Sequence, residues 1–205
     1  MRFAILANGK SLENYTHNPL AIKYDQVWGM NQMATWENFR LDKLFVMDDL
    51  KLRMPFYAGY DFVNFLKTYD TEIVTAKAYP EWPTSVDYPL YDVCQYFGVP
   101  AGIAMYSTPD YMIALAIMKG ATEIHLPGVD MSNKTTLEMR LGTAHWIGVA
   151  QARGVLVKTY TPSIYQYLTN HGHGMECGLY GYAKRPRIED LVNKDYYKAY
   201  ENEGS

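Results

Sequence analysis

A chain of 205 residues is long enough for one full hydrophobic core and too short for two ordinary domains. Hydrophobic residues at 48% and charged residues at 20% exclude a disordered chain, and a net charge of −3 argues against a broad cationic footprint for nucleic acid or anionic membrane. Two cysteines, Cys94 and Cys177, exclude a disulfide framework and fit a reducing, cytoplasmic compartment.

Met1 and Arg2 lead directly into Phe3–Ala7, an apolar run that reads as a buried strand, so neither a signal peptide nor a membrane span is expected. The strand runs into Asn8-Gly9-Lys10-Ser11-Leu12. A glycine turn lets backbone approach a ligand, and a helix opening at Ser11 would offer free N–H groups and a positive dipole end to an anion. An ordinary strand–turn–helix corner has the same pattern. Gln26–Asn31 and Lys43–Asp48 read as the next strands, followed by a helix over 56–69, a strand at Glu72–Thr75 and a helix over 87–97. From Lys77 to Pro109 the chain is broken by Pro80, Pro83, Pro89 and Pro100, which points to loops over the carboxyl edge of a sheet. A helix over 108–119 carries the apolar run Tyr111–Met118 and closes at Gly120. Glu123–Val129, a helix over 135–153, a strand over Val155–Tyr160 and a helix over 162–170 complete the rhythm.

Strands alternating with helices predict an α/β fold: a Rossmann-like, mostly parallel sheet with helices on both faces, forming a single domain over 1–178. Residues 179–205 change character, with Lys184-Arg185-Pro186-Arg187 and a helix from Ile188 to Tyr200, and read as a C-terminal extension packing on that domain. The 19 tyrosines suit a cleft lining or an interface, and a homo-oligomer is compatible with them.

Ligands of open α/β sheets sit outside the carboxyl ends of the strands. The residues expected there are Asn8, Gly9, Lys10 and Ser11, then Asn31 and Gln32, then Asp48 and Asp49, then Ser107 and Thr108, then Gly128 and Asp130. Amides and hydroxyls of this kind suit a base, a ribose and phosphates. Asn31 equally suits a helix cap, and Ser107-Thr108-Pro109 an N-cap with proline in the first turn. Lys10 suits a phosphate contact or a plain surface site. Asp48 and Asp49 suit a magnesium ion beside a diphosphate, or a cap and a solvated side chain. No other metal site is expected: His171 and His173 have no nearby carboxylates and read as a loop. His17 reads as solvated and His125 as a core or cleft-wall histidine. His145, in Thr143-Ala144-His145-Trp146-Ile147-Gly148, is the histidine expected to serve as a general base.

The chain resembles the bacterial lipooligosaccharide sialyltransferases of glycosyltransferase family 42, and a wider Rossmann-like set with motility-associated-factor glycosyltransferases and archaeal pterin pyrophosphokinases. Ala7-Asn8-Gly9-Lys10-Ser11-Leu12 is similar to the family's Gly-Asn-Gly-Pro-Ser-Leu, and Met30-Asn31-Gln32 to its Cys-Asn-Gln. The longest match runs from Ser107 to Asp130, and His145-Trp146-Ile147-Gly148 looks like the family's His-Tyr-Ile-Gly. The resemblance implies that Asn8, Gly9, Ser11, Asn31, Gln32 and Ser107 or Thr108 hold a nucleotide, cytidine-like in the sialyltransferases, and that His145 is the base facing the acceptor. Lys10 departs from the family's proline, and Ser132 and Asn133 stand where tyrosines assist the leaving phosphate. The segment between Asp130 and His145 is short for the family's lid.

The expected function is a transferase using a nucleotide-activated donor, a nucleotide-sugar glycosyltransferase first of all. The alternatives are a non-catalytic nucleotide-binding protein that sequesters or senses its ligand, and a magnesium-dependent diphosphotransferase. A nucleic-acid acceptor is not favoured, because the Lys184-Arg185-Arg187 patch stands against an acidic balance.

Overall fold

The computed structural model describes residues 1–16, 23–35, 40–49, 62–99, 104–131 and 136–161. The chain divides into two compact units, Met1–Ile164 and Tyr165–Ser205, and every described residue lies in the first. The expected helices over 162–170 and from Ile188, the Lys184–Arg187 patch, His17, His171, His173 and Cys177 lie outside the described residues.

Seven strands form one sheet: β1 (Arg2–Leu6), β2 (Gln26–Met30), β3 (Lys43–Val46), β4 (Ile73–Thr75), β5 (Ser85–Asp87), β6 (Glu123–Leu126) and β7 (Leu156–Thr159). Their order is β5-β4-β3-β2-β1-β6-β7, and every pairing is parallel. The helices are α1 (Leu12–Thr16), α2 (Phe62–Thr68), α3 (Leu90–Phe97), α4 (Thr108–Met118) and α5 (Leu137–Ala152), and a 3-10 turn spans Asn31–Thr35. The expected α/β architecture is the observed one.

Successive side chains of a strand point to opposite faces, so β1 feeds two cores at once. Phe3 and Ile5 join a cluster with Trp28, Met112, Ile113 and Trp146. Ala4 and Leu6 join another with Leu44, Phe62 and Leu66. Burial on both sides explains why β1 reads as a continuous apolar run instead of an alternating one. Helix α4 lies against β1, β2, β3 and α5, which is why it is apolar nearly all round.

Several element ends shift slightly, as at Met30 and Val46, and three differences go further. Ser85–Asp87 is an edge strand paired with β4 through Ile73 and Ser85, not loop, and Asp87 ends it instead of opening a helix. At only three residues, with Pro83 before and Pro89 after, it is too short to show a period. The strand expected through Val129 ends at Leu126, because Pro127 and the positive φ of 78° at Gly128 turn the chain out of the sheet. The helix expected over 56–69 is described only from Phe62.

Strand order runs outward from β1 through β2 to β5 on one side, and from β6 to β7 on the other. The direction of winding therefore reverses between β1 and β6, which opens a crevice beyond their carboxyl ends.

Candidate functional site

The loops leaving β1 and β6 are interlocked. Ala7 N donates to Pro127 O at 3.1 Å and Gly9 N to Gly128 O at 2.9 Å. Gly128 N donates to Ser11 Oγ at 2.9 Å, and Ser11 N to Asp130 Oδ2 at 2.9 Å. The Ser11 hydroxyl also donates to Asp130 Oδ1. A Cβ at Gly128 would lie 1.8 Å from Ala7 O, and one at Gly9 would lie 2.3 Å from Gly128 O. Both glycines are thus required by protein–protein approach, whatever they do toward a ligand.

A cleft of about 510 Å3 opens above this knot. Asn8, Gly9, Asn31, Asp48, Ser107, Thr108, Gly128 and Asp130 line it, so five separated segments converge there as the strand-end argument requires. Lys10, Ser11, Gln32 and His145 are not among its lining residues. Ser11 is buried and occupied by Gly128 and Asp130, Lys10 is exposed, and the Gln32 carbonyl accepts from Thr35 Oγ1 at 2.8 Å. Of the two expected magnesium ligands, Asp48 lines the cleft and Asp49 is exposed. Among the described residues no group of three or more histidines, cysteines or carboxylates gathers as a metal cluster would.

The helix start at the cleft is not the expected one. Helix α1 has five residues, and Ser11 turns its side chain to the β6 loop. Helix α4, eleven residues long, brings its first turn to the cleft through Thr108 and Pro109, with Ser107 as N-cap. Asp110, three residues after the cap, reaches back with its carboxylate. Tyr106 N and Ser107 N each donate to Asp110 Oδ2 at 2.8 Å. Thr143 Oγ1, from α5, donates to Asp110 Oδ1 at 2.6 Å. The Asp110 carboxyl is fully buried, and burial pushes its pKa up to about 6 despite these three donors and the Ser107 hydroxyl, which pull it down. Next to it, burial and the Asp110 charge raise the Tyr111 phenol.

Among the described residues, three that are not glycine have positive φ: Asn31 at 50°, Ala104 at 52° and Met131 at 45°. Asn31 and Met131 line the cleft, and Ala104 precedes its neighbour Met105. Backbone in this region is costly for such residues and collects at working sites. Asn31 Oδ1 is buried and has no hydrogen-bond partner among the described residues.

His145 sits on α5 with Leu141 and Gly148, all exposed and on one helical stripe. Met139 and Thr143, which face the cleft wall and Asp110, occupy the opposite stripe. The base implied by resemblance therefore stands outside the cleft. Tyr106 and Tyr111 line the cleft as the tyrosine content suggested, but sequence reading missed its methionine wall of Met47, Met105, Met131 and Met139. No motif marks such residues. Asp110 was missed as well, although it stands three residues after Ser107 in a Ser-x-x-Asp cap pattern that could have marked it.

No family model matches this chain, and no curated protein sequence matches it. Among solved structures, it is similar to the sialyltransferase CstII from Campylobacter jejuni in complex with a substrate analogue, CMP-3FNeuAc. That match has 19% identity over 79% of this chain and 81% of the other, with a TM-score of 0.51. A point mutant of the α-2,3/8-sialyltransferase CstII matches at 18% identity over 79% and 82%, also with a TM-score of 0.51. The fold is sialyltransferase-like. No helix among the described residues is long and apolar enough to cross a membrane.

Proposed function

We propose that the chain is a glycosyltransferase that takes a nucleotide-activated sugar, with the nucleotide seated in the cleft between the β1 and β6 loops. The observation that carries this is convergence: Asn8, Asn31 and Thr108 come from three distant segments and line one cleft at the point where strand order reverses. Asn31 supplies a buried acceptor that no described residue uses, as expected of an oxygen reserved for a ligand. The first turn of α4 supplies the favourable end of a helix dipole for phosphate. Gly9 and Gly128 bring backbone close enough to share in holding the ligand, while Ser11 and Asp130 act by locking the two loops together. A cytidine nucleotide is the first ligand to try, since a structure of like fold holds CMP-3FNeuAc.

In this mechanism the phosphate pocket does most of the catalytic work, because stabilising the charge on the departing nucleotide lowers the barrier more than any other effect open to the site. His145 is the residue offered as base toward the acceptor hydroxyl, acting from outside the nucleotide cleft. Its exposed position favours a second reading, a binder without transfer. Titration calorimetry with CMP, followed by mass spectrometry of CMP-sugar incubated with candidate acceptor saccharides, separates the two. CMP binding with sugar transfer supports the enzyme; binding with an intact donor after long incubation supports the sequestering or sensing protein. No binding of any nucleotide ends both. A strict magnesium requirement with release of a nucleoside monophosphate would instead point to diphosphate transfer, with Asp48 as metal ligand.

A further inference from the structure

We propose that Asp110 and Thr143 form a hydrogen-bond relay that fixes Ser107 as an acceptor toward the ligand, so that Ser107 meets a sugar or base donor and not a phosphate oxygen. This rests on the nucleotide reading above. An ionised carboxylate can only accept. The Thr143 hydroxyl must therefore spend its proton on Asp110 Oδ1, 2.6 Å away. Ser107 Oγ lies 3.3 Å from Thr143 Oγ1, and with that proton committed it is Ser107 that donates, toward Thr143 and the Asp110 carboxylate. One Ser107 lone pair takes the Asp110 amide in the capping box, and the other is what remains for the cleft that Ser107 lines.

The surroundings are built to keep the relay in place. Asp110 and Thr143 are both fully buried. A Cβ at Gly142 would lie 2.6 Å from Asp110 Oδ2 and 2.8 Å from Ala104 O, so α5 can approach this closely only through glycine. Trp146 Nε1 donates to Ala104 O at 3.1 Å and ties the segment before Ser107 to the same helix. The two amides held by Asp110 Oδ2 would be sufficient for capping alone. The third contact commits the Thr143 proton to Asp110, so Ser107 meets acceptors on both sides and its polarity is set.

Asp110→Asn tests polarity apart from position. The amide oxygen can take over the two backbone donors, while its N–H2 donates to Thr143 and turns the Thr143 hydroxyl toward Ser107. The loop is kept and the relay reversed. At pH 7.5 the Asp110→Asn protein is expected to keep wild-type amide-exchange protection at Tyr106 and Ser107. It should bind CMP and cytidine about five- to tenfold more weakly, the value of one hydrogen bond to the ligand. Ser107→Ala should weaken CMP and cytidine equally, and combining it with Asp110→Asn should add nothing. Thr143→Val, which removes the hydroxyl that Asp110 and Ser107 share, should weaken binding in the same direction as Asp110→Asn, and Thr143→Ser should restore it. Wild-type affinity in Asp110→Asn and Thr143→Val, or a Ser107→Ala penalty seen with CMP and not with cytidine, overturns the relay. Should wild type bind neither ligand, the nucleotide reading falls while the relay is still judged: the Thr143 hydroxyl proton must give a slowly exchanging resonance in the free protein, and a fast one overturns it.

Discussion

Strands β1 and β6 carry buried polar groups in two places, and the two places treat them in opposite ways. On one face, Arg2 Nε donates to Glu123 Oε2 at 2.6 Å, and His125 Nε2 lies 2.6 Å from Glu123 Oε1. His125 Nδ1 lies 2.9 Å from Tyr24 Oη and 3.0 Å from Tyr160 Oη. Every member answers another, and the chain of bonds closes on itself. Beyond the carboxyl ends of the same strands, Ser11, Gly128 and Asp130 lock the backbone, yet Asn31 keeps an unanswered oxygen and a left-handed φ. Polar groups that satisfy each other stabilise the fold; polar groups held apart by a rigid knot are kept for something that arrives later. The distinction is open to direct attack by substitution.

The knot is the place to break first. Gly128→Ala forces a Cβ to within 1.8 Å of Ala7 O at a φ of 78°, a clash that only backbone movement can relieve. The expected cost is about 4 kcal/mol or more, among the largest that single substitutions give. Thermal unfolding and the soluble fraction report it. A Gly128→Ala protein as stable as wild type would mean that the two loops are not locked.

His125→Ala attacks the closed network. It removes a fully buried ring and leaves Glu123 and two phenols short of a partner, at an expected cost of about 3 kcal/mol in denaturant unfolding. Nucleotide affinity of the folded protein should be unchanged, since none of these groups lines the cleft. A change in affinity without a change in stability would reverse the assignment of the two regions.

The two regions also titrate with opposite sign. Glu123 is held below its ordinary value, first by the His125 hydrogen bond, so what it contributes is present above that value and lost on acidification. Asp110 behaves the other way. Its pKa rises from 3.8 to about 6 on folding, so its neutral form favours the folded state. That contribution is complete below pH 3.8 and disappears as pH climbs through about 6. The shift corresponds to about 3 kcal/mol at most. Unfolding curves between pH 4 and pH 8 should therefore show a downward slope that Asp110→Asn flattens; an unchanged slope would place the titration elsewhere.

How much of this could be read from the chain follows from the range of each interaction. Strand and helix positions were legible because burial on both faces writes apolar runs such as Phe3–Ala7 and Tyr111–Met118 into contiguous sequence. The convergence of Asn8, Asn31, Thr108 and Asp130 was legible too, because parallel strands place all their carboxyl ends at one edge. The helix start that faces the cleft was not. Ser11 looks like a cap, but its partner Asp130 lies 119 residues away, and nothing local records that bond. The same holds for β5, whose identity comes from pairing with β4 and not from its own three residues. His145 shows the converse: a motif marks the residue, while helix phase, set by which face of α5 meets α4, turns it outward.

Asn31 gives the smallest change in stability and the sharpest contrast with His125. Asn31→Gly removes a buried acceptor that no described residue satisfies and places at a φ of 50° the residue that adopts it without strain. Both effects favour folding, and against them stands only the extra freedom of glycine in the unfolded chain. Stability should thus stay within about 1 kcal/mol of wild type, on the favourable side, by chemical denaturation. Affinity for CMP should nevertheless fall about tenfold, the worth of one good ligand hydrogen bond. A buried polar group whose removal helps the fold and harms binding has its partner outside the protein. If Asn31→Gly instead lowers stability and leaves CMP binding intact, Asn31 belongs with the closed network, and the cleft loses its best argument for a ligand.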